Sequence, residues 1–512
     1  MSNNIRLRFA PSPTGPLHIG GLRTALYNYL ITRKLGGKFI LRIEDTDLNR
    51  LDDKAIKHIE DSLNWCGILP DESPKSPGKF GPYFQSKRKD LYKKYIEKLI
   101  KNGLAYYAFD KKDELSELRK KNEKEGKTFI YNWLNRDKLK NSLSLNHDES
   151  KNLIQKDEYV IRFKTYDPLK DNDEYYIEDI IRGKVKINLK NLDDKIIYKS
   201  DGMPTYHLAN IVDDHLMKIT HVVRGEEWLP SLALHFKIYE AFGWKKPFFA
   251  HLPLILKPSG QGKLSKRDGQ KFGIPVYPIE WNDSKEKIKY LGFKEMGFES
   301  EAILNFICMI GWNPGDEKEV FSLKELETIF SLDKINKSGA KFDFEKAKWF
   351  NHEHVKKISD ESTLKFMNEN IDKNFLKIVS KKSKSKKLIE LIKERVTFKK
   401  ELIKEARNIL DPNHQDLDQN FIKKKWNEKI YNSIIEIIKL IKNSKNISIK
   451  EIKKSYLDIL NKNEIKIGDG MQSLRLCLIK NPTGPDIFEI IEILGLKESI
   501  NRIHKNLIDI ND

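Results

Sequence analysis

The stretch Pro11-Ser12-Pro13-Thr14-Gly15-Pro16-Leu17-His18-Ile19-Gly20-Gly21 decides how the chain begins to fold. Its prolines and glycines do not continue a strand, so a loop starts here. Before it, Ile5, Leu7 and Phe9 alternate with Arg6 and Arg8, the period of a strand. After it, Leu22, Ala25, Leu26, Tyr29 and Leu30 recur at helical spacing, and Lys38 to Ile43 reads as a second strand closed by the acidic cluster Glu44 to Asp47. Strand, loop, helix and strand in that order predict an α/β chain with a doubly wound parallel sheet. Ligands bind such sheets beyond the carboxyl ends of the strands, where both the Pro/Gly loop and the acidic cluster fall.

Working outward, Lys111 to Glu158 is highly charged and weakly periodic, which reads as an insertion outside the sheet. Strand-like and helical runs return from Tyr198 to Leu256, the natural second half of the sheet, and end in the Gly/Lys segment Gly260 to Gly269. Beyond about Glu280 the pattern is predominantly helical, with Ile430, Ile434, Ile437, Ile438 and Ile441 on one apolar face. The basic run Lys381 to Lys387 reads as the solvated start of a helix.

The 512 residues are enough for several cores, roughly three to five units at ordinary domain sizes. A net charge of +19 suits a surface that attracts a polyphosphate such as RNA. The abundance of Lys, Ile and Asn yields the same charge through an AT-rich genome, so charge alone leaves both readings open. Cys66, Cys308 and Cys477 form no CxxC pair, which excludes a legible zinc site or disulfide framework and fits a reducing compartment. Lys or Asn interrupts every apolar run, and Met1 leads straight into the first strand, so neither a membrane span nor a signal peptide is expected and the location should be cytoplasmic.

Two segments carry chemistry. His18 stands just before a helix, where backbone N–H groups and the helix dipole favour phosphate and the glycines allow close approach. Gly260-Gln261-Gly262-Lys263-Leu264-Ser265-Lys266-Arg267 gathers three cations and several small residues, suited to a mobile loop that closes over a triphosphate and stabilises departing pyrophosphate. Neither the P-loop nor the GxGxxG spacing fits these segments.

Together, His18-Ile19-Gly20-Gly21 resembles the HIGH motif and Lys263 to Arg267 the KMSKS loop of class I aminoacyl-tRNA synthetases. Arg8 to Gly21, Arg42 to Asp47, Ser200 to Trp228 and Lys337 to Trp349 closely resemble glutamyl-tRNA synthetases of bacterial type. Gly21 and Arg267 depart from the consensus in ways familiar in that family. The resemblance implies a Rossmann-like catalytic domain in two halves, 1–105 and 196–270, around an inserted acceptor-end-binding domain, 106–195. A stem-contact domain, 271–355, and an α-helical anticodon-binding domain, 356–512, would follow.

The resemblance also implies that Arg8, Ala10, Ser12, Glu44, Tyr206, Asn210 and Arg224 shape a glutamate pocket, with the arginines on the side-chain carboxylate and Glu44 on the ammonium group. Pro11, Thr14, Gly15, His18, Gly20, Gly21, Glu227, Trp228, Leu254, Ile255, Leu256, Lys263, Ser265, Lys266 and Arg267 would face ATP, with His18, Lys263 and Lys266 catalytic and Mg²⁺ on the phosphates. The implied substrates are ATP, L-glutamate and tRNA(Glu), handled by a monomer. Where some relatives start a zinc site with Cys-x-Cys, this chain has Ala108 and Asp110, so no zinc is expected. A glutaminyl-tRNA synthetase is the nearest alternative, and its β-barrel anticodon region conflicts with the isoleucine-striped helix. Whether tRNA(Gln) is charged as well stays open.

Overall fold

A computed structural model describes residues 5–156, 158–283, 286–370, 382–411, 415–444 and 447–511, without the side chains of residues 48, 266, 382, 383 and 511. Contacts divide the chain into two units, one of residues 1–296 and 300–347, the other of residues 297–299 and 348–512.

In the first unit Arg6–Phe9 (β1) is buried along its whole length, as an inner strand must be. The Pro/Gly loop leads from it into Ile19–Lys34 (α1), which buries Leu22, Ala25, Leu26, Tyr29 and Leu30. Arg33 and Lys34 occupy the last turn, where the dipole favours cations, while the first turn holds no acid. Lys38–Leu41 (β2) then pairs parallel to β1, with Leu7 opposite Phe39 and Arg8 opposite Ile40.

Residues 105–198 carry two antiparallel sheets of their own. Ala105–Ala108 (β3), Val160–Phe163 (β4) and a later strand form an antiparallel sheet in which β4 is central. Glu174–Asp179 (β5) and Gly183–Asn188 (β6) make a hairpin, and Ile196–Tyr198 (β7) closes the sheet against β4. The described residues of the charged stretch 111–158 supply helices Lys112–Lys124 and His147–Gln155 and no strand of the parallel sheet.

The chain then returns with helix Tyr206–Leu216 and strands His221–Gly225 (β8) and Phe248–Leu252 (β9). The four parallel strands run β2-β1-β8-β9. Connections leave β1 towards opposite edges of the sheet, and that reversal opens a crevice at the strands' carboxyl ends. Within the predominantly helical stretch beyond Glu280, Trp281–Asp283 and Ile288–Tyr290 pair as two short antiparallel strands. These strands are three residues each, too short for a period to register.

The described part of the second unit is helical. Its core takes in Ile430, Ile434, Ile437, Ile438 and Ile441, all on helix Glu428–Asn443. The basic run meets the start of helix Lys382–Lys393, and Lys381 lies outside the described residues. No helix among the described residues is long and apolar enough to cross a membrane.

Candidate active site

A cleft of about 560 Å³ opens at the carboxyl ends of β1 and β8. Arg8, Ala10, Ser12, Glu44, Tyr206, Asn210 and Arg224 all line it. Pro11, Gly15, His18, Gly20, Gly21, Glu227, Trp228, Leu254, Ile255, Lys263 and Ser265 line it too. Thr14, Leu256 and Arg267 are not among its lining residues, and the side chain of Lys266 lies outside the described residues. Arg23 and Thr24 of α1, with Ile59, Val223, Gly225 and Pro253, also line it without having been singled out in the sequence.

His18 does two jobs through two ring nitrogens. Its Nδ1 accepts the Gly20 N–H at 3.2 Å and caps α1. In the neutral ring Nε2 therefore carries the proton, and this buried atom has no hydrogen-bond partner. Burial, reinforced by the nearby Lys263 charge, lowers the His18 pKa to about 4, so the ring is neutral at physiological pH. A buried donor without a partner, at a helix N-terminus bare of acids, suits a phosphate oxygen.

Across the mouth, the Gly/Lys segment turns as a hairpin. Leu264 N–H bonds the Ile255 carbonyl at 2.9 Å and Lys257 N–H the Gly262 carbonyl at 3.0 Å. Gly260 and Gly262 take φ of +81° and +74° at the turn, a conformation side chains resist. Ser265 then caps helix Lys266–Phe272 through a reciprocal pair with Asp268. Lys263 Nζ reaches Glu227 at 3.0 Å, an exposed pair that a triphosphate's greater charge can exchange.

The floor of the cleft is a buried ion network. Arg8 bonds Asp214 through Nε at 3.1 Å and Nη2 at 3.2 Å. Arg42 bonds Asp214 at 2.7 Å and Glu44 at 2.9 Å, and Arg88 bonds Asp213 at 2.6 Å. Three guanidinium groups thus meet three carboxylates, which offsets the desolvation of each. Burial pushes the Glu44 pKa up, against the pull of Arg42 and Arg8. Both hydrogen bonds of Glu44, from Arg42 and from Asn210, fall on Oε1, leaving Oε2 for a cation.

Arg224 stands apart. Among the described residues no carboxylate pairs with it. Its Nε donates to His251 Nε2 at 3.0 Å, its Nη1 to the Tyr206 hydroxyl at 3.1 Å and His235 Nδ1 at 3.2 Å. Its Nη2 has only a 3.5 Å contact to the Trp228 carbonyl. Tyr206, stacked on Trp228 with centroids 3.9 Å apart, spends a lone pair on Arg224 and keeps its own proton to donate. Burial raises the Tyr206 pKa, which keeps that proton in place. A buried, 4% exposed guanidinium with an adjacent hydroxyl donor has the chemistry to hold a carboxylate.

Missed in the sequence were Asp213, Asp214 and Asp179. The first two fall on helix Tyr206–Leu216 as an acidic pair that is completely buried, a signal that needs the helix face to be known. Asp179 comes from the insertion's hairpin, 72 positions from the His251 it touches, and leaves no local trace.

A parallel sheet split by an insertion, with a phosphate-ready helix end opposite a lysine hairpin, defines the class I aminoacyl-tRNA synthetases. Residues 4–349 match the family described as tRNA synthetases class I (E and Q), catalytic domain, and residues 346–507 match the anticodon binding domain. The glutamate–tRNA ligase of Christiangramia forsetii is 49% identical over 99% of both chains, and that of Flavobacterium johnsoniae 48% identical over the same shares. The crystal structure of a glutamate tRNA ligase from Elizabethkingia meningosepticum in complex with its amino acid matches with a TM-score of 0.85 at 44% identity, covering 99% of each chain. The chain belongs to the glutamate–tRNA ligase family.

Proposed function

We propose that the chain attaches L-glutamate to tRNA(Glu) in two steps, with Arg224 and Tyr206 selecting the acid side chain. An oxygen of the glutamate α-carboxylate attacks the α-phosphorus of ATP, the bond to pyrophosphate breaks, and glutamyl-adenylate forms. A hydroxyl of the terminal ribose of the tRNA then attacks the acyl carbon and AMP leaves. Rate comes from alignment and from donors meeting charge that grows on the phosphoryl group. His18 Nε2 and Lys263 are placed for that work, and Lys266 is assigned to it by motif. Mg²⁺ would arrive on the phosphates of ATP and neutralise their charge there. The two carboxylates on the cleft wall, Glu44 and Glu227, are held by Arg42 and Lys263, which fits a metal carried by the substrate.

The observation that carries this reading is the unpaired Arg224 beside a donating hydroxyl. Glutamine would turn an NH₂ towards these two donors, whereas glutamate presents acceptors only. Residues 106–195 would take the acceptor end, 271–355 the inner stem and 356–512 the anticodon, in a cytoplasmic monomer. Charging of purified tRNA(Glu) and tRNA(Gln) with labelled glutamate or glutamine tests the reading. Glutamate on tRNA(Glu) supports it, with tRNA(Gln) reporting whether the enzyme discriminates. Glutamine attachment, or no charging by folded protein, refutes it.

The insertion needs no zinc on this account. Ala108 pairs with Val160 in the sheet, and Asp110 accepts the Tyr131 hydroxyl at 2.9 Å and the Lys140 N–H at 3.0 Å. Elemental analysis of purified protein should find no stoichiometric zinc, and one equivalent would overturn this.

A further inference from the structure

Arg224 can act as a carboxylate receptor only if its other nitrogens are held without cancelling its charge. Its holders are two buried histidines, each offering a lone pair. His251 lies directly beside Arg224 in the parallel ladder, so their side chains share one face of the sheet. His251 Nε2 accepts from Arg224 Nε, so its proton must sit on Nδ1, which is 2.6 Å from Asp179 Oδ2. Both His251 and Asp179 are shut off from solvent, at 0% and 4% exposure.

Asp179 is itself clamped in orientation. Its Oδ1 accepts the N–H groups of Ile181 at 3.0 Å, Arg182 at 2.9 Å and His251 at 3.3 Å. The other oxygen therefore has one place to point, at His251 Nδ1. His235 repeats the logic, with Nδ1 accepting from Arg224 and Nε2 facing His207 Nδ1 at 3.1 Å. Burial lowers the His251 pKa despite Asp179, and hydrogen bonds from His251 and Arg182 hold Asp179 below the usual carboxylate range against its own burial. A neutral imidazole beside a charged carboxylate is the arrangement that leaves a lone pair for Arg224.

We infer that Asp179, delivered by the insertion's β5–β6 hairpin, is a positioning residue for amino-acid selection: it fixes the His251 tautomer that holds Arg224 ready for the substrate's side-chain carboxylate. The inference rests on the proposed glutamate specificity. It assigns to the insertion a part in building the amino-acid pocket. Asp179 stands one charge-neutral ring away from Arg224, so it orients the guanidinium without pairing with it.

The test is Asp179→Asn, which changes one oxygen to NH₂. The three N–H groups on Oδ1 keep the amide oxygen on their side, so the NH₂ faces His251 Nδ1. Nδ1 must then accept, the ring proton moves to Nε2, and it meets the Arg224 Nε–H head on. In aminoacylation assays with tRNA present, KM for glutamate should rise by about 10- to 100-fold, the usual effect of losing an outer partner that orients a ligand-binding group, with KM for ATP unchanged. In a His251→Gln background the same Asp179→Asn change should add nothing, because the Gln oxygen accepts from Arg224 whatever stands behind it. An unchanged glutamate KM, parallel losses for glutamate and ATP, or an undiminished effect in the His251→Gln background would each overturn the inference. Should Asp179→Asn not fold, His251→Leu compared with His251→Gln decides: a higher glutamate KM for Leu alone supports it, and equal values overturn it. Charging by the unaltered protein is measured first, so a failed activity assignment cannot be mistaken for a failed positioning role.

Discussion

Replacing Arg224 by methionine will lower kcat/KM for glutamate by about 10²- to 10⁴-fold, because removing one partner of a buried charge pair costs about 3–5 kcal/mol. Methionine is chosen because it keeps an unbranched stem where the guanidinium now lies 5.5 Å over the Phe249 ring. The substrate carboxylate would then enter a wall offering one hydroxyl donor and two neutral histidines. Selectivity for glutamate over glutamine should fall with it, since the rejecting element is the guanidinium that an amide cannot neutralise. ATP binds through other residues, so its KM should hold. Steady-state charging with glutamate and with glutamine measures both effects. A loss shared equally by ATP would make Arg224 a general structural group, and intact discrimination would assign selection to Arg8.

Arg8 and Arg224 look alike in the sequence, and the structure separates them. Arg8 has its Nε and one terminal nitrogen committed to Asp214. Arg224 meets only neutral acceptors. No sequence pattern tells a guanidinium with an internal partner from one awaiting a ligand, because the partner is 206 positions away. The parallel sheet was legible for the opposite reason: Ile5 to Phe9, the helix stripe of α1 and the strand at Lys38 each announce themselves within a few residues. The cleft residues came from the resemblance to glutamyl-tRNA synthetases rather than from local pattern: Tyr206 and Asn210 lie on helix Tyr206–Leu216, away from both motifs. That the segment carrying Lys263 turns as a hairpin was not legible, since glycines and cations look the same whether or not backbone bonds close the turn. The isoleucine face at 430–441 was plain, having a full helix over which its period could repeat.

The buried network explains why the pocket can be rigid without being inert. Arg8, Arg42 and Arg88 are matched by Asp213, Asp214 and Glu44, so little net charge is left to draw water or to relax. Against that balanced floor, the Arg224 guanidinium, which meets only neutral acceptors, is felt strongly by an incoming carboxylate. Such preorganisation spares the reorganisation that a flexible site would have to undergo on binding.

His18→Ala will lower kcat by about 10²- to 10³-fold, the usual effect of deleting one donor aimed at developing charge, while KM for glutamate changes little. The argument turns on which nitrogen carries the proton. With Nδ1 committed to the Gly20 N–H, only Nε2–H can face a phosphate, and it is the neutral ring that presents it. Because burial and Lys263 lower its pKa to about 4, His18 should contribute no fall in kcat/KM for ATP, which reports the free protein, between pH 8 and pH 5. Below about pH 4 a proton on Nδ1 would oppose the Gly20 N–H and undo the helix cap. Stability follows the same sign: the unfolded chain takes up this proton near pH 6.5 and the folded one near 4, so the ring's contribution is intact above pH 6.5 and is lost as pH falls towards 4. Comparing pH profiles of kcat/KM for ATP between the unaltered protein and His18→Ala isolates the effect. A limb near pH 6.5 that vanishes in the variant would show that the charged ring is the working form, and the neutral-donor mechanism would fall.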